Sequence, residues 1–129
     1  MNPDPLSPER SWKGKFGDAF RGLKAGVRGQ RSFLVHFAVA AAVILTAALL
    51  RVGLLEWCLL LLCIAGVLVA ELFNSALESM AKAITHESYP HLGNSLDIGS
   101  AAVLVASLGA AVVGSIVFGH RLGRLLGWW

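Results

Sequence analysis

Three apolar stretches, each long enough to cross a hydrocarbon core, constrain this chain of 129 residues more than any other feature. The first runs from about Ser32 to Leu50, with His36 its only ionisable group. The second begins near Leu54, carries no charge from Trp57 to Ala70, and keeps a helical pattern to about Thr85. The third covers about Asp97 to Phe118. A membrane helix needs roughly 20 predominantly apolar residues, at ~1.5 Å rise per residue, so each run reads as a span. The second, on the order of 45 Å as one helix, outruns a ~30 Å core, and its last turns have to leave the bilayer. Composition agrees: 56% of residues are hydrophobic and 15% charged, too few charges to cover the surface of so small a soluble domain. The expected fold is an all-α membrane protein. It has a flexible tail over 1–10, an amphipathic surface helix over 11–29, and spans of about 32–50, 54–85 and 97–118 in a single domain reaching residue 129.

The surface helix shows in Trp12, Phe16, Phe20, Leu23 and Val27, which recur at spacings of three and four with basic residues mostly elsewhere. Its five glycines argue against rigidity. Seven of the eleven basic residues precede the first span: Arg10, Lys13, Lys15, Arg21, Lys24, Arg28 and Arg31. Arg51-Val52-Gly53 reads as a tight outer turn and 86–96, with Pro90 and Gly93, as the inner loop. With Lys82, the side holding the N-terminus carries eight basic residues; the other side carries Arg51, Arg121 and Arg124. The positive-inside rule then places the N-terminus in the cytoplasm and the C-terminus outside, with Trp57, Trp128 and Trp129 near the outer interface. No recognition motif accompanies the charges, so nucleic acid is not an expected partner. The N-terminus lacks the short charged region and cleavage site of a signal peptide. Cys58 and Cys63 diverge by about 140° on a helix and read as packed thiols, not as a disulfide.

Late in the second span one helical face turns polar. Glu71, Asn74, Ser75 and Glu78 stand at i, i+3, i+4 and i+7, sharing a stripe roughly 100° wide. Ionisable groups at membrane depth cost about 2.5–3.5 kcal/mol each on insertion scales, so they need a reason to be there. Topology returns Asp97 to the same depth, and three carboxylates and a carboxamide are expected to converge where hydrocarbon meets cytosol. Carboxylate and amide oxygens are hard donors suited to magnesium and, through it, nucleotide phosphates. A carboxylate at that boundary can also accept a proton from a hydroxyl. Plainer readings stand beside these: Glu78 and Lys82 form an i, i+4 pair, and Asp97 could cap the third helix, with Asn94 and Ser95 as competitors. His86 and His91 read as solvated, His36 as packed, and Glu56 as interfacial. Ala102, Ala106, Ala110 and Gly114 form a small-residue face that another helix can approach, and self-association would shelter the polar stripe. No phosphate-binding glycine loop, dinucleotide loop, zinc spacing or Ser-His-Asp order occurs.

The run Glu71-Leu72-Phe73-Asn74-Ser75-Ala76-Leu77-Glu78 resembles the E-L-x-N-S/T-A-I/L-E motif of the small bacterial membrane lipid kinases, the diacylglycerol kinase and undecaprenol kinase family. Leu96-Asp97-Ile98-Gly99-Ser100-Ala101-Ala102-Val103 resembles its K-D-M/I/V/L-G/A-S/A-G/A-A-V motif. Leu55-Glu56-Trp57 and His36 are similar to the undecaprenol kinase branch, and the likeness extends from about Ser11 to Val117. This resemblance implies a homotrimer in the bacterial cytoplasmic membrane, with composite sites between subunits, transferring the γ-phosphate of MgATP to a lipid alcohol. By position, Glu71 would be the general base and Glu78 a metal ligand. Asn74, Ser75 and Asp97 would bind nucleotide or substrate, and Arg21 or Arg10 would assist with phosphates. Two positions depart from the pattern. Gln30 stands where the family has an acidic metal ligand, offering a carbonyl oxygen without charge, and Leu96 stands where it has lysine. These departures motivate an alternative, a degenerate pseudokinase or scaffold that binds lipid or nucleotide without turnover. A small ion-conducting oligomer draws on the intramembrane carboxylates alone.

Overall fold

The computed structural model describes residues 11–28, 31–85, 87 and 89–128. Arg10 with the rest of the expected tail, Gln30, His86 and Trp129 lie outside the described residues. Among the described residues four helices follow one another: α1 (Trp12–Val27), α2 (Arg31–Leu49), α3 (Leu54–Ile84) and α4 (Pro90–Leu125). The last three are long and apolar enough to cross a membrane, and no strand occurs among the described residues. The chain is therefore an all-helical membrane protein with three spans.

Ser11 caps α1, its Oγ accepting from the Gly14 N–H at 3.3 Å. One glycine of this helix lets it lie close to α3: a Cβ on Gly26 would stand 2.9 Å from Leu72 Cδ2. Trp12, Phe16, Phe20 and Leu23 remain exposed on the single chain, an apolar face free to meet lipid.

The α2–α3 turn closes a Schellman motif. Val52 N–H donates to Ala47 O at 3.1 Å and Arg51 N–H to Ala48 O at 3.2 Å, with Arg51 left-handed at φ 51°. Ala47, Val52, Leu60 and Val117 form a buried cluster beneath the turn, where Trp57 packs against them. Arg121 reaches from α4 to satisfy the end of α2, its guanidinium donating to Leu50 O at 2.8 Å and Arg51 O at 2.6 Å. Glu56, expected to be merely interfacial, accepts from the Gly53 N–H at 2.6 Å and so closes the start of α3.

The third span differs most from its expected bounds. Helix α4 starts at Pro90, not near Asp97, because proline at N1 lacks only an N–H that would have had no helical partner. Asp97 therefore lies two turns inside the helix and caps nothing, and His91, Asn94 and Ser95 are helical. With 31 and 36 residues, α3 and α4 run to about 46 and 54 Å at ~1.5 Å per residue, so both project beyond a ~30 Å core. They pack chiefly on each other, while α2 and α1 lie against α3.

Candidate active site

Where α2 begins, Phe33 is fully buried, its ring centroid 6.0 Å from that of Phe37 one turn on in the same helix. Glu71 is 3% exposed. Ser32 Oγ donates to its Oε1, and His36 Nε2 stands 3.8 Å from its Oε2. One turn further, Asn74 (7% exposed) donates from Nδ2 to Glu78 Oε1 at 3.2 Å. Its Oδ1 is buried without a hydrogen-bond partner and faces Gly99 of α4, where an added Cβ would stand 2.6 Å away. Ser75 Oγ is likewise buried and unpartnered, beside the crevice between α1 and α3. Buried polar atoms are nearly always paired, and each orphan costs about 1–3 kcal/mol, so two in adjacent residues suit a ligand-receiving surface.

The stripe thus gathers Glu71, Asn74, Ser75 and Glu78 as their spacing predicts, but the third carboxylate is elsewhere. Asp97 is exposed. Gly99 faces Asn74, and two residues on a helix turn through about 200°, so Asp97 points away from the stripe of its own chain. The expected convergence of all three carboxylates does not occur within one chain. Leu96 beside it is half-buried. Arg21 is exposed and forms an ion pair with Asp18 on α1. No group of three His, Cys, Asp or Glu side chains able to hold a metal forms among the described residues. Magnesium makes a smaller demand, one or two carboxylates with the remaining positions filled by water and phosphate. Half-buried Glu78 supplies one carboxylate of that kind, while the Asn74 carbonyl oxygen is turned towards Gly99.

Beyond His36 an apolar groove of about 710 Å³ runs between α2, α3 and α4, lined by Val39, Leu60, Val67, Ala110 and Gly114 among others. Of the small-residue face of α4, Ala110 and Gly114 line this groove, and nothing lies within 4 Å of a Cβ placed on Gly114.

Ser32, His36 and Gly99 escape a reading of the stripe alone. Ser32 and His36 are spaced i, i+4 and polar in an apolar span, the signal that would have drawn attention to them.

Residues 17–118 match the model of the prokaryotic diacylglycerol kinase family. The undecaprenol kinase of Bacillus subtilis is 31% identical over 107 residues, 83% of this chain and 87% of that protein. The diacylglycerol kinase of Escherichia coli K12 is 28% identical over 107 residues, 83% of this chain and 88% of that one. That of Pseudomonas aeruginosa is 31% identical over 109 residues, 82% and 89% of the two chains. All three relatives carry kinase names, which lends the degenerate-scaffold alternative no support. With a match across most of its length, this chain belongs to the prokaryotic diacylglycerol kinase family of membrane lipid kinases.

Proposed function

We propose that the chain transfers the γ-phosphate of MgATP to the hydroxyl of a membrane lipid alcohol, diacylglycerol or undecaprenol. The observation that carries this reading is Glu71, a carboxylate buried in a membrane-length helix and gripped from α2, with Asn74 and Glu78 one and two turns on. Glu71 takes the proton of the lipid hydroxyl as its oxygen attacks the γ-phosphorus; the bond to the β,γ-bridging oxygen breaks and ADP departs. Glu78 would hold the metal, and by sequence position the carbonyl oxygen of Gln30 would supplement it. Magnesium supplies neutralisation of the phosphate charge when bound. Asn74 and Ser75 offer their unpartnered oxygens to the nucleotide, and Arg21 and, by sequence position, Arg10 would assist with the phosphates. Apolar walls keep bulk water from competing with the lipid hydroxyl.

Asp97, facing away from its own stripe, acts in a neighbouring copy within a homotrimer, which the uncovered small-residue face of α4 also favours. The charge asymmetry supports an N-terminus on the cytoplasmic side of a bacterial inner membrane and a C-terminus outside. Purified protein in detergent, given radiolabelled ATP with diacylglycerol and undecaprenol in parallel, is expected to label at least one lipid; label in neither overturns the proposal. Glu71→Gln should abolish turnover while leaving the oligomer assembled, and an active variant removes Glu71 from the role of base.

A further inference from the structure

Two side chains outside the polar stripe converge on Glu71. Ser32 and His36, four residues apart, share one face of α2. Ser32 Oγ donates to Oε1 of Glu71, 39 positions away in sequence, and His36 Nε2 stands 3.8 Å from Oε2. Within the stripe itself, Asn74 gives its amide hydrogen to Glu78. A glutamate reaches its carboxylate through three rotatable bonds, and anchoring that group to one place requires partners on another element. Here the partners come from α2, which also carries the buried Phe33 between them in sequence.

We propose that Ser32 and His36 are positioning residues for this reaction, Ser32 anchoring one oxygen of Glu71 and His36 standing beside the other, so that α2 sets the aim of the base. The inference rests on the reading of Glu71 as general base. A donor to a carboxylate makes a charge-assisted hydrogen bond, stronger than a neutral one. The base has to lie within hydrogen-bond reach of the lipid hydroxyl, and a misplacement of about 1 Å can cost ~10²-fold in rate. The loss therefore falls on kcat, because the aim of the carboxylate governs proton removal and not the binding of nucleotide or lipid. His36 faces both Glu71 and the apolar groove, so its replacement also alters the wall beside the carboxylate.

The test uses the full chain in lipid bilayers, with MgATP and whichever lipid alcohol the unaltered protein phosphorylates. Threonine and valine have nearly the same shape and differ in the hydroxyl, so Ser32→Thr and Ser32→Val form the decisive pair. Ser32→Val should lower kcat about tenfold or more while both KM values stay within about twofold, and Ser32→Thr should recover most of the rate. His36→Ala should give a smaller fall in kcat, which His36→Gln partly restores. Independently of turnover, the ¹³C carboxyl resonance of Glu71 should move in Ser32→Val and return towards its original position in Ser32→Thr. Equal kcat in the Thr and Val variants, with Glu71→Gln inactive, overturns the positioning role and leaves the kinase proposal standing. Absence of labelled lipid from the unaltered protein defeats the kinase proposal, and a Glu71 resonance identical in all three forms then shows that the contact itself is wrong.

Discussion

Gly99 matters for what it lacks. A Cβ there would stand 2.6 Å from Asn74 Oδ1 and 3.1 Å from Leu77 Cδ1, so α4 can lie against the amide only with a hydrogen in that place. Gly99→Ala sets two effects against each other: alanine favours the helix by about 1 kcal/mol, while overpacking costs about 1–3 kcal/mol. The unfolding temperature should change little or fall modestly, whereas displacement of the Asn74 amide from Glu78 should cut phosphate transfer about tenfold or more. Thermal unfolding beside a transfer assay separates the two; unaltered transfer would mean that the amide can shift without consequence. At this scale the sequence exposed the stripe itself, because a polar face inside an apolar helix stands out by period. It did not expose Ser32 or the orientation of Asp97. Both depend on a register between helices, and no intrahelical spacing encodes that register.

The turn between α2 and α3 shows how an element ends under membrane constraints. Its C′ position needs a left-handed backbone, and the chain puts Arg51 there at φ 51°, where glycine would be free of the Cβ penalty of about 1 kcal/mol. Arg51→Gly is therefore expected to stabilise the protein by about that amount, seen as a higher unfolding temperature in detergent; a lower one would show that the arginine side chain matters more than its backbone. Arg121→Met should act in the opposite sense, removing both donors to the end of α2 at a cost of about 1.5–3 kcal/mol. The ends of α2 and α3 were legible to within about a residue, since both borders coincide with sharp changes in polarity. The start of α4 was not. Pro90, Gly93 and Asn94 read as loop residues, yet proline suits the first position of a helix, and the packing of Gly99 on Asn74 holds the neighbouring turns against α3.

For the whole molecule, the sequence disclosed three spans and their apolar faces but not what covers them, because a single chain leaves much of that surface bare. Leu34, Leu45, Leu62, Val105 and Ile116 are exposed, as is Asp97, on the side of α4 away from Glu71. The proposed homotrimer gives this geometry a consequence that can be counted. If Glu71 of each site comes from one chain and Asp97 from the next around the ring, Glu71→Gln and Asp97→Asn homotrimers are each inactive. In any mixed ring, going round once, there is one boundary where an intact Glu71 meets an intact Asp97, so about one site in three recovers. Random reassembly of equal amounts makes about three rings in four mixed, and about a quarter of the original activity should return. Were both residues drawn from the same chain, no mixture could rebuild a site, and activity would stay at the level of the separate variants. Dissociating the two inactive proteins in denaturing detergent, mixing them and restoring lipid therefore distinguishes a shared site from a self-contained one, with the unmixed proteins carried through the same steps as the baseline.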